Sequence, residues 1–143
     1  MASGTPDYTQ TVRQVYGSAK MIWNKRTVTA SSRNTINKVL GKGIIYGGCM
    51  FLDYTSSQIN SLPGLDIDDE ALASFSFAEM AKYGISVENT SAFHMLRYDQ
   101  KEFVYSAGIS SGITFERYFE TIYDEVHGTT PDVTGLIHYA LLT

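Results

Sequence analysis

Residues 113–127 read Ile113-Thr114-Phe115-Glu116-Arg117-Tyr118-Phe119-Glu120-Thr121-Ile122-Tyr123-Asp124-Glu125-Val126-His127, and how this stretch is read decides the fold class. Phe115, Tyr118, Phe119, Ile122, Tyr123 and Val126 recur at i, i+3, i+4, i+7, i+8 and i+11, the spacing of one helix face. Glu116, Arg117, Glu120, Asp124 and Glu125 fill the opposite side. A strand through the same residues would carry charge on both faces. The spacing therefore predicts a helix, stopped by Gly128 and Pro131.

Working outward, residues 92–98 and 102–109 read as a hairpin. Phe93 and Met95 share one side of the first strand, and Phe103, Tyr105, Ala107 and Ile109 share one side of the second. Val133 to Leu142 reads as a closing strand. Upstream, Ile44 to Leu52 is apolar on both parities, as in a strand covered on two faces, with Gly47-Gly48 marking a bulge or a close backbone approach. Residues 55–65 read as a loop. Asp66 then caps a helix near 67–83, with acids in its first turn and Gly84 as its stop. From residue 43 the order is strand, helix, strand, strand, helix, strand. That order predicts an α+β, ferredoxin-like βαββαβ two-layer sandwich.

Residues 1–42 read as an N-terminal helical extension. Val12, Val15, Tyr16, Ala19, Ile22 and Trp23 form one stripe at the helical period over 8–23, and a second helix is expected at 34–40, capped by Asn34. Arg13, Lys20, Lys25, Arg26, Arg33, Lys38 and Lys42 make this segment net +6, whereas residues 43–143 carry net −10. The expected organisation is a basic arm, 1–42, on an acidic α+β body, 43–143. Such asymmetry bears on partners, not on fold.

The chain holds ten Tyr, seven Phe and one Trp, side chains suited to half-buried contact surfaces. The sole cysteine, Cys49, excludes an internal disulfide. No basic-then-apolar leader opens the sequence, and no apolar run nears the roughly 20 residues that span a bilayer. The expectation is a cytoplasmic or virion protein without a membrane partner.

Catalytic patterns are missing. His94, His127 and His138 share no metal-ligand spacing, although Cys49, His94 and His138 would approach one another if their strands paired. Asp66 to Glu70 resembles the start of a calcium loop but has Ala71 at its sixth position and Phe77 at its twelfth. Gly41-Lys42-Gly43 lacks the spacing of a phosphate loop. Glu102, Glu116, Glu120 and Glu125 read mostly as a solvated helix face. No cofactor and no metal site is expected.

These readings favour a non-enzymatic assembly subunit, contacting copies of itself or other protein subunits, with a virus or phage particle as one setting. Its interface would comprise Val12, Val15, Tyr16, Ala19, Ile22 and Trp23 with Arg13, Lys20, Lys25 and Arg26. Two alternatives stand beside it: nucleic-acid binding through residues 1–42, and a small enzyme or ligand-binding protein with its site between subunits.

Overall fold

The computed structural model describes residues 16–86 and 92–142, and strands dominate it. In chain order they are β1 (Lys20–Thr27), β2 (Arg33–Leu40), β3 (Gly43–Asp53), β4 (Leu62–Ile67), β5 (Glu70–Ser74), β6 (Phe93–Asp99), β7 (Val104–Ile109), β8 (Ile113–Phe115), β9 (Tyr118–Asp124) and β10 (Asp132–Leu141). A single helix among the described residues, α1 (Phe77–Tyr83), lies between β5 and β6. The ferredoxin-like α+β sandwich with a helical extension is thus replaced by two antiparallel sheets.

The physical reason lies in residues 113–127 themselves, which form β8, a two-residue turn and β9. Glu116 and Arg117 lie in the turn and Glu125 beyond the end of β9, so three of the five charges occupy neither face of a strand. Within β9, Phe119, Thr121 and Tyr123 turn inward, while Glu120 turns outward to Lys38. Apolar pairs at 118/119 and 122/123 satisfy a period of 3.6 and also a strand buried on one face and half-covered on the other.

The other expected helices fail for local reasons. The described part of 8–23 enters β1, and residues 1–15 lie outside the described residues. In β2 the expected helix cap, Asn34, is buried and bonded to Thr29 and Tyr123, and Asn37 is buried and bonded to Gly135 of the facing sheet. Asp68 and Asp69 take left-handed φ values of 50° and 74° in the turn from β4 to β5, which ends any helix there. Of the expected 67–83 helix only 77–83 is helical, capped by Ser76 in a reciprocal box with Glu79 and stopped by Gly84 at φ 72°. β4 occupies the end of the expected loop.

The strand at 43–53, the 93–109 hairpin and the closing strand form as the pattern predicts. Gly47, at φ 142°, does mark a bulge: β10 opposes Ile45 with Tyr139 and Gly47 with His138, leaving Tyr46 unopposed. The bulge moves the inward parity from Ile45 to Met50 and Leu52. The run is therefore apolar on both parities because its register shifts and because Phe51 stays exposed, not because both faces are covered.

Four pairings nest like one long folded hairpin: β1 with β10, β2 with β9, β3 with β7, and β4 with β5. The hairpin then rolls up, β10 pairing β3 and β9 pairing β4. The result is a sheet ordered β1-β10-β3-β7-β6, with β8 beside β3, facing a sheet ordered β2-β9-β4-β5. That is the jelly-roll arrangement. Ile45, Met50, Leu65, Phe115, Phe119, Tyr123, Val133 and Ile137 fill the space between the sheets. Phe119 meets Phe115 and Tyr139 edge-on, with centroids 4.9 and 5.7 Å apart. Each such aromatic side chain, fully buried, contributes about 1.5–3 kcal/mol. Phe77 of α1 stacks on Tyr105 at 5.3 Å, so the helix closes the side of the sandwich near β6.

Candidate interface on the six-stranded sheet

Residues directly opposite one another in antiparallel strands share a face. On the outer face of the six-stranded sheet the registers align Trp23, Leu136, Cys49, Gly108 and His94 in one row across five strands. The next row on one side holds Met21, His138 and Gly47; on the other side it holds Lys25, Thr134, Phe51, Ser106 and Arg97. Met21 is 59% exposed, Trp23 56% and Phe51 40%. An apolar strip thus runs over β1, β10 and β3. Where β10 and β3 diverge beyond Phe51, a cleft of about 340 Å³ opens between Asp132 and Asp53, with Lys25, Phe51, Tyr54 and Val104 on its walls.

The outer face of the other sheet is different in kind. Arg33 of β2 pairs with Asp66 of β4, across the intervening β9, and Lys38 lies 3.9 Å from Glu120 on the neighbouring strand. Lys38 also lies over the Tyr118 ring at 4.9 Å. Ion pairs thus occupy much of that face, although Leu40 of β2 and Leu72 of β5 are also exposed on this sheet. Elsewhere Lys25 lies 3.8 Å from Asp132 and Lys42 2.9 Å from Glu116. Four cations of residues 1–42 therefore meet acids of residues 43–143 within the chain.

The four sheet edges are also unequal. Asn24 Nδ2 donates to the Ile36 carbonyl at 3.3 Å and Arg26 Nη1 to the Thr35 carbonyl at 2.8 Å, so side chains of β1 close the edge of β2. The Met95 N–H of β6 donates to the Ile85 carbonyl at 2.7 Å. β5 is five residues long and its pairing is interrupted by a register shift. β1 has eight residues in unbroken register with β10, and among the described residues no group bonds its other edge.

The expected interface residues divide accordingly. Trp23 and Lys25 point outward from the six-stranded sheet, Ile22 and Arg26 point toward the other sheet, and Lys20 and Ala19 are exposed. Tyr16 bridges to Leu142. Val12, Arg13 and Val15 lie outside the described residues. The stripe drawn at the helical period is thus split by strand alternation between two faces. Phe51, Leu136 and Met21 complete the outer strip; Phe51 and Leu136 had a sequence signal, as apolar residues of the strands expected at 43–52 and 133–142.

Among possible chemistries, Cys49 and His94 do share a row, but Gly108 stands between them, and His138 lies one row away. Burial raises the Cys49 thiol, which keeps it protonated rather than nucleophilic. Among the described residues no three His, Cys, Asp or Glu side chains gather closely enough to hold a metal ion. The acidic stretch at 66–70 plays a structural part instead. Asp68 accepts the N–H groups of Glu116, Arg117 and Tyr118 at 2.8, 2.7 and 3.0 Å, pinning the β8–β9 turn. Those bonds, the one from Glu116 first, hold the Asp68 carboxyl below its usual range despite some desolvation. His127 is likewise engaged, its Nε2 accepting the Asn60 N–H at 3.0 Å.

No family model matches this chain, and no curated protein is similar to it in sequence. Among the described residues no helix is long and apolar enough to cross a membrane.

Proposed function

We propose that this chain is a non-enzymatic structural subunit that assembles with copies of itself, in the cytoplasm or in a virus or phage particle. One observation carries the reading: Met21, Trp23 and Phe51 stand exposed together on one outer face, where the strand registers join them into a strip with Leu136. Exposed apolar strips of this kind mark contact surfaces, and a tryptophan at the centre of one is a typical anchor. The jelly roll serves capsid subunits, lectins and cupins alike, so the particle setting rests on analogy at the level of the fold.

The test is sedimentation velocity from low to high micromolar concentration. Assembly is expected to grow with concentration, and the emission of Trp23, the chain's sole tryptophan, to shift to the blue as it leaves water. Trp23→Asp should leave the circular dichroism of the fold intact and weaken assembly at least tenfold. A single monomeric species at the highest concentration, with unshifted emission, overturns the reading.

A further inference from the structure

We infer that the open edge of β1 pairs antiparallel with β1 of a second copy, joining two six-stranded sheets across a two-fold axis at Ile22. This deepens the assembly reading and rests on it, since it names the partner and the contact. Three observations lead there. The edge of β2 is closed by Asn24 and Arg26, that of β6 is met by Ile85, and β5 is short and broken in register. β1 is long, unbroken and, among the described residues, unbonded along its other side, the geometry that natural proteins cover or pair. Its sequence, Lys20-Met21-Ile22-Trp23-Asn24-Lys25-Arg26-Thr27, then selects the register.

A continuous sheet keeps outer residues opposite outer residues, so the two-fold must pass through a residue and not between two. Centred on Trp23, the pairing sets Lys20 against the partner's Arg26, two cations on one face. Centred on Asn24, it sets Ile22 against the partner's Arg26 and Trp23 against the partner's Lys25, drawing Lys25 from Asp132. Centred on Ile22, it sets Met21 against the partner's Trp23 twice, Ile22 against itself and Lys20 against the partner's Asn24. No like charges face each other, and the two most exposed apolar residues of the strand, Met21 and Trp23, cover one another in sulfur–aromatic contacts. The outer strips of both copies then merge into one.

Single cysteines placed at 21, 22, 23 and 24 in a full-length Cys49→Ser background test this. Under mild oxidation Ile22→Cys should give a disulfide dimer several-fold faster than the other three. Met21→Cys mixed with Trp23→Cys should cross-link as a mixed pair and neither alone. The mixed pair reads the same register if Ile22→Cys folds poorly. Faster cross-linking at 23 or 24, or equal rates at every position in a protein that still assembles, overturns the β1 pairing while the assembly reading stands. A protein that neither cross-links nor associates overturns both.

Discussion

Glu125 shows how much order one carboxylate can impose. It is 1% exposed, yet it accepts hydrogen bonds from the N–H groups of Ser31, His127, Gly128 and Thr129 and from the Thr129 hydroxyl. Burial pushes its pKa up, but these donors, Ser31 and Thr129 foremost, outweigh it and hold the group at about 2. Because the folded value lies below the unfolded one, the stabilisation is complete above a pH of about 4.5 and is lost as pH falls toward about 2. The linkage is worth about 3 kcal/mol at neutral pH. Glu125→Gln should therefore cost about 2–3 kcal/mol in urea unfolding at pH 7, with a flatter loss of stability between pH ~4.5 and ~2 than the parent shows. A variant as stable as the parent at pH 7 contradicts this account. In the sequence Glu125 looks like one more charge on a helix face. Its role was illegible because four of its five donors are backbone groups, one of them 94 residues away. Gly47 was legible, because a glycine pair inside an apolar run has few other uses.

Elements were readable where the apolar pattern had one interpretation. β3, β6, β7 and β10 carry apolar runs or strict alternation bounded by turn residues, and all four form. β1, β2 and β9 do not announce themselves, because their buried faces are partly polar or their apolar pairs also fit a helical period. In β2 the buried residues include Asn34 and Asn37 beside the aliphatics Ile36 and Val39. Asn37 joins the two sheets: its N–H donates to Thr121 Oγ1 at 2.9 Å, its Oδ1 accepts that hydroxyl at 2.6 Å, and its Nδ2 donates to the Gly135 carbonyl at 3.1 Å. β2 can approach β10 this closely because position 135 lacks a side chain; a Cβ there would collide with Asn37 Oδ1. Gly135→Ala is expected to cost about 2–4 kcal/mol by forcing the sheets apart and stranding buried polar groups. Thermal unfolding measures it, and an unchanged midpoint would contradict the tight contact. The interface is an element-scale matter as well. Trp23 and Lys25 were expected together in one contact surface, but the side they share is set by a period of two, which no helical wheel could show.

For the whole molecule, the charge split along the sequence is partly answered inside the fold. Lys25, Arg33, Lys38 and Lys42 each meet an acid from the second part of the chain. Such exposed pairs add little stability individually, but they show that a basic leading segment need not imply a partner. The nesting of strands has a kinetic consequence. β1 must find β10, and β2 must find β9, across most of the sequence, and non-local pairing of this kind slows folding. Refolding followed by stopped-flow circular dichroism should fall in the range of milliseconds to seconds; microsecond refolding would be inconsistent with this topology.

The pairing of the first strand with the last also fixes where the described chain enters and leaves. Tyr16 bridges to Leu142, and the Gly17 N–H donates to the Leu141 carbonyl at 2.7 Å. A short peptide spliced between these neighbouring points would close the backbone into a ring without disturbing a single ladder. The ring could then be cut at the Asp99–Phe103 bend, so a circularly permuted chain would carry the same sandwich with β7 at its start and β6 at its end.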